Sequence, residues 1–156
     1  MSDLSAVAAT VFVCTSCRRR IGEGEGEEAF DRPGAGLAAV LGDRLGNEPG
    51  VRVVPVECLA VCKRPCTVAI TGHDKWTYLI GDLDPTAHVA EIEAGVRAYA
   101  ASGNGIVPWK ERPQTFRKGV IARVPPADFP KTEAAEGHPR HRSPSSLASW
   151  VRARPR

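Results

Sequence analysis

Five cysteines gathered into two tight clusters constrain this chain more than any other feature. Cys14 and Cys17 close the run VFVCTSC, and Cys58, Cys62 and Cys66 follow about forty residues later in ECLAVCKRPC. Each cluster comes directly after a β-rich run, Val11–Val13 before the first and Val51–Val56 before the second. Strand ends in one small sheet can lie side by side, so cysteines remote in sequence can converge. No apolar stretch is long enough to span a membrane. The N-terminal segment has no Lys or Arg ahead of its apolar part and no small-residue cleavage site. No secretory signal is read there, and the expected compartment is cytoplasmic. Thiols stay reduced in that compartment, and an odd number of cysteines does not make a disulfide framework. Metal binding or redox chemistry is the expectation.

The spacings narrow the chemistry. Cys14 and Cys17 form a C-x2-C, and Cys58 and Cys62 form a C-x3-C. Four thiolates at one point are a soft donor set that selects zinc or an iron–sulfur cluster. Structural zinc usually takes two tight knuckles. A [2Fe–2S] cluster spreads its ligands over two irons and accepts uneven spacings, although the plant-type C-x4-C-x2-C is not matched here. A third reading makes Cys14-Thr15-Ser16-Cys17 a catalytic dithiol. Such a motif normally opens a helix whose dipole lowers the thiol pKa. Here it opens into Arg18-Arg19-Arg20 and Gly-rich sequence, and that reading leaves Cys58, Cys62 and Cys66 without a role.

The remaining pattern is β-α-β-β-β-α. Leu37, Leu41 and Leu45 recur at helical spacing within GLAAVLGDRLG. Pro55 assigns its strand to an edge or an end. VAIT and the strand containing Tyr78 flank Gly72-His73-Asp74-Lys75, a hairpin signal. Asp84 followed by Pro85 starts a last helix, with Val89, Ile92, Val96 and Tyr99 as its apolar stripe and Gly103 as its stop. The Gly- and Glu-rich stretch after Arg20 reads as a loop. Two helices on a mixed sheet make a thioredoxin-like α/β domain over residues 8–103. Residues 1–103 carry a net charge of −4 and residues 104–156 a net charge of +7, and eight of the thirteen prolines lie in the second part. Residues 104–126 are too apolar for a free linker and are expected to drape over the domain or a partner. Residues 127–156 form a basic tail of low hydropathy in which disorder is expected.

ECLAVCKRPCTVAITGHDKWTYLIGDLD resembles the second half of the thioredoxin-like [2Fe–2S] ferredoxins, in which a Cys-Leu-x-x-Cys precedes two strands. The VFVCTSCRR opening and the segment VPWKERPQTFRKGVIARVPP resemble a bacterial family of predicted metal-binding proteins of unknown function. Members of that family are often encoded near cobalamin-synthesis genes. The resemblance covers about residues 10–125. It implies a cluster held by Cys14, Cys17, Cys58 and Cys62, with Cys66 as an alternative ligand, a redox partner protein and a homodimer. The ferredoxins usually space their first two cysteines more widely, and Cys66 stands where they tend to have Gly or Pro.

The function expected from these readings is iron–sulfur electron transfer, without substrate chemistry of its own. The alternatives are a zinc module, linked to cobalamin or metal metabolism, and a thiol oxidoreductase using Cys14 and Cys17. No Ser/His/Asp set or Gly-rich phosphate loop is present. His73 reads as turn chemistry, His88 as solvated on the outer helix face, and Arg18–Arg20 as solvated loop charge. The basic tail shows little aromatic interleaving, so no nucleic-acid partner is expected.

Overall fold

The computed structural model describes residues 7–22 and 29–129. Its elements follow in the order β1 (Ala9–Cys14), β2 (Arg19–Ile21), β3 (Ala29–Asp31), α1 (Pro33–Leu45), β4 (Val51–Val56), β5 (Val68–Thr71), β6 (Thr77–Ile80), α2 (Val89–Ala101), a 3-10 turn (Trp109–Glu111), α3 (Gln114–Lys118) and β7 (Val120–Val124). Five strands form one mixed sheet in the order β4-β1-β5-β6-β7. β1 and β4 are parallel, joined through α1, and the other pairings are antiparallel. The α/β class with a mixed sheet, expected from the sequence, is the one found. Pro55 lies on β4, an edge strand, where a residue without an N–H removes no ladder bond.

The period-2 and period-3.6 patterns meet in one core. Val11 and Val13 of β1, Ile70 of β5 and Tyr78 and Ile80 of β6 are fully buried. Leu37, Leu41 and Leu45 of α1 pack with Ile92, Val96 and Tyr99 of α2 and Phe116 of α3 in the same cluster. Each such side chain contributes on the order of 1.5–3 kcal/mol by leaving water. Tyr78 sits at the centre, edge-on to Tyr99 with ring centroids 6.1 Å apart and tilted against Phe116 at the same separation.

Four local expectations are corrected. The stretch after Cys17 is not all loop. Arg19–Ile21 pairs antiparallel with Ala29–Asp31, and Arg19 donates to both Asp31 carboxylate oxygens across that pair. The last helix begins at Val89, not at Pro85. Asp84 does cap, but it caps the turn before the helix, accepting from the N–H groups of Thr86 and Ala87 and from the Thr86 hydroxyl. His88 is not simply solvated, because its Nδ1 accepts the Asp84 N–H at 3.0 Å. Residues 104–126 do not merely drape: β7 hydrogen-bonds to β6 as the fifth strand. Residues 130–156 and the acidic stretch 23–28 lie outside the described residues. No helix among the described residues is long and apolar enough to cross a membrane.

Candidate metal centre

The parallel register of β1 and β4 brings the cysteine clusters together. Cys14, the last residue of β1, stands opposite Val56, the last residue of β4, and Cys58 comes two positions later. Past the strand ends the two chains stay paired. The Thr15 N–H donates to the Val56 carbonyl at 2.9 Å, and the Ser16 N–H donates to the Glu57 carbonyl at 3.1 Å. On the other side, the Cys14 N–H donates to the Thr67 carbonyl, next to Cys66. The end of β1 therefore lies between the two ends of the second cysteine segment. Behind it, the first turn of α1 presses on the same residue. A Cβ at Gly34 would meet the Cys14 carbonyl oxygen, so glycine is required there by close approach.

The first pair is buried and already gathered. Cys14 Sγ and Cys17 Sγ are 3.1 Å apart, and both side chains are essentially inaccessible to solvent. Their acidities diverge. Burial pushes Cys14 up, but the Cys17 thiol and the backbone N–H groups of Leu59, Cys17 and Ser16 aim at its sulfur, and the result is a lowered pKa. Cys17 is pushed up to about 12, first by burial, then by its hydrogen bond to Cys14 and by negative charge at Cys14, Cys62 and Cys58. The pair thus favours one thiolate, at Cys14, with the proton held on Cys17.

The second pair is exposed. Cys58 and Cys62 sit on the loop that follows β4, near enough to Cys17 to oppose its ionisation. The Ala60 N–H donates to Cys58 Sγ at 3.2 Å, and Ala60 itself adopts a left-handed backbone with φ of 60°. A non-glycine residue in this region is sparsely populated and concentrates at functional sites. Among the described residues, no three His, Cys, Asp or Glu side chains stand close enough together to hold a metal ion as they are.

Cys66 belongs to the core rather than to this surface. It is fully buried among residues that include Val68 and Ile80. Burial, reinforced by negative charge at Cys14, pushes its thiol up to about 11. Its backbone is tied on both sides to Leu83, by the Cys66 N–H at 3.3 Å and the Leu83 N–H at 3.0 Å.

The basic triplet is not free loop charge throughout. Arg19 pairs with Asp31 at 2.7 Å and with Asp84 at 2.9 Å, tying the β2–β3 hairpin to the turn before α2. Arg64, between Cys62 and Cys66, pairs with Asp82 at 2.6 Å. His73 pairs with Asp74 in an exposed turn. Sequence reasoning missed the inward-pointing amides and Gly34. The Pro33-Gly34 dipeptide at a helix start is the one signal that marked the latter.

Fold and site define a class: an α/β domain with two cysteine pairs placed where a parallel strand pair ends. Over residues 11–126 the chain matches the family described as protein of unknown function (DUF1636), and it belongs to that family. Solved structures similar to it are of a thioredoxin-like [2Fe–2S] ferredoxin from Aquifex aeolicus. One is 18% identical with a TM-score of 0.47, covering 80% of this chain and 100% of that one. The wild-type form is 16% identical with a TM-score of 0.45, covering 75% and 99%. A cysteine-to-serine variant is 19% identical with a TM-score of 0.46, covering 73% and 98%. No curated protein matches the chain.

Proposed function

We propose that this protein holds a [2Fe–2S] cluster with Cys14, Cys17, Cys58 and Cys62 and works as a ferredoxin-like electron carrier rather than as a catalyst. The observation that carries this reading is the β1–β4 register, which delivers two cysteine pairs from remote segments to one end of the sheet. The donor set fits the group: four sulfurs suit iron or zinc and disfavour hard cations. Backbone N–H groups directed at Cys14 and Cys58 stabilise negative charge on sulfur, a recognised control of cluster potential. When bound, such a cluster supplies one-electron exchange. The chain's own residues do the rest. Buried Cys14 and Cys17 anchor the inner side, while Cys58 and Cys62 face solvent, where a redox partner protein meets the site. A homodimer and a cytoplasmic location accompany this proposal.

The dithiol reading has one observation in its favour, the 3.1 Å separation of Cys14 and Cys17. Their burial opposes it, because a substrate disulfide must reach the attacking sulfur. A strand, not a helix, also follows Cys17, so the pair does not open a helix as a catalytic dithiol does. Anaerobic purification followed by iron, sulfide and zinc analysis tests the proposal. Two irons and two sulfides per chain, with visible charge-transfer absorption, are expected. A colourless protein with stoichiometric zinc overturns it in favour of a zinc module, and a metal-free protein that turns over disulfides overturns it in favour of an oxidoreductase.

A further inference from the structure

Residues 104–129 carry five basic residues against two acidic ones, and the fold spreads much of that charge over one continuous surface. Arg123, on β7, lies with its guanidinium carbon 5.6 Å from the Trp76 ring and 5.9 Å from the Tyr78 ring. Arg112 lies 5.8 Å from that same Tyr78 ring and 5.6 Å from Trp109. Arg117 lies 5.5 Å from Trp109 in turn. Shared rings therefore link the three guanidiniums in sequence as neighbours. Lys110 joins them beside Trp109, since its carbonyl accepts a bond from Arg117. Among the described residues, none of Lys110, Arg112, Arg117 and Arg123 is ion-paired with a carboxylate. Trp109 is 61% exposed at the centre of this surface. The face lies along β7, at the sheet edge opposite β4, and only the start of that strand approaches the residue between Cys62 and Cys66: Gly119 accepts the Gly81 N–H, and Gly81 has Ile121 and the Arg64 carbonyl as immediate neighbours.

We infer that this basic face of Lys110, Arg112, Arg117, Arg123 and Trp109 is the docking surface for an acidic protein. Its identity as a redox partner, but not its charge, rests on the electron-carrier reading. Two observations choose a protein over a nucleic acid. Trp109 has Arg112 and Arg117 over it, and Trp76 has Arg123 over it and Phe129 edge-on at 5.2 Å. Nucleic-acid platforms instead offer bare rings on which bases stack. Stacked guanidiniums hold their N–H forks in place for bidentate carboxylates, and exposed Trp and Arg together are the residues that dominate protein–protein contacts.

The test uses the full chain and isothermal titration with two probes, poly-L-glutamate and oligo(dT) of matched charge, at low and at physiological salt. Poly-L-glutamate is expected to bind the more tightly, and to weaken about tenfold with added salt and again in Arg117→Gln and in Lys110→Gln. Both of those positions are exposed, so these variants leave the fold intact. Tighter binding of oligo(dT), lost in Trp109→Ala, overturns the inference in favour of a nucleic acid. Failure of both probes to bind, or binding unchanged in the variants, overturns it outright. Titration does not depend on metal content: glutamate binding by a protein without iron would retain this surface and remove the carrier reading, whereas an iron–sulfur protein that ignores the probe would do the opposite.

Discussion

The two cysteine pairs are built from the same residue at nearly the same spacing, yet they are positioned by opposite means. Cys14 and Cys17 are fixed by the core: a central strand ends at Cys14, α1 presses on its backbone, and solvent is excluded. Cys58 and Cys62 are fixed by a surface loop with a left-handed Ala60 and one amide on sulfur. The first pair is therefore pre-formed at a cost in thiol acidity, and the second remains free to adjust. The proposed four-cysteine site would thus combine a buried inner half with an exposed outer half.

The largest expected effect removes the contrast altogether. Cys14→Ser and Cys58→Ser should each abolish iron binding, measured as iron per chain after anaerobic purification. Full iron retention in Cys58→Ser would break the four-ligand reading. The same two variants then separate the halves by apo-protein stability in urea. Cys14→Ser should cost about 1–3 kcal/mol, because it places a stronger polar group in a buried site, whereas Cys58→Ser should change stability by less than about 0.5 kcal/mol. Equal costs would show that the loop is as constrained as the core.

Acidity sharpens the comparison next. In the metal-free protein, iodoacetamide should modify Cys58 and Cys62 first at neutral pH, with Cys17 and Cys66 protected by burial and by thiols raised to about 12 and about 11. The folded state holds these two protons more tightly than the unfolded chain. Their contribution to apo-protein stability is therefore complete below the ordinary thiol pKa of about 8.5. It is lost as pH rises toward those values, which urea midpoints measured between neutral and alkaline pH will show.

Asp84 tests the frame that both halves share. Its carboxyl is held well below the usual range, mainly by the Thr86 hydroxyl and the Ala87 and Thr86 amides, with Arg19 adding to them. A depressed pKa stabilises above the unfolded carboxylate value and is lost on acidification. Asp84→Ala should cost about 1 kcal/mol at neutral pH and flatten the acid limb of the stability curve. No effect on iron is expected at Cys66, where Cys66→Ala should cost on the order of 1 kcal/mol as a small-cavity substitution and leave iron content unchanged. Loss of iron would make Cys66 a ligand.

The sequence made some of this plain and concealed the rest for identifiable reasons. Leu37, Leu41 and Leu45, and likewise Val89, Ile92, Val96 and Tyr99, announced their helices because burial on one face leaves a periodic trace. The adjacency of the two strand ends that carry the cysteines was legible because each cluster follows a β-run. The β2–β3 pair was not, since its short strands are interrupted by Gly- and Glu-rich sequence and Arg19–Asp31 supplies a long-range tie. β7 was read as a strap because Ile121 to Val124 shows no clean alternation: edge strands bury only part of each face. The divergence between Cys66 and its neighbours was invisible, because three cysteines spaced by three residues give no indication of which one the core will enclose. The amide donors to sulfur depend on loop backbone torsions that residue identity does not encode.

The parallel pairing of β1 with β4 has one more consequence. The cysteine pairs are placed at one end of the sheet by strand alignment rather than by distance along the chain, and of the intervening crossover it is the first turn of α1 that rests on Cys14. A one-residue slip between these strands would turn Cys14 to the opposite face of the sheet, whereas lengthening the connection that enters α1 would leave the alignment as it is. The centre's tolerance to change is thus anisotropic, generous along the backbone path and nearly absent across the ladder.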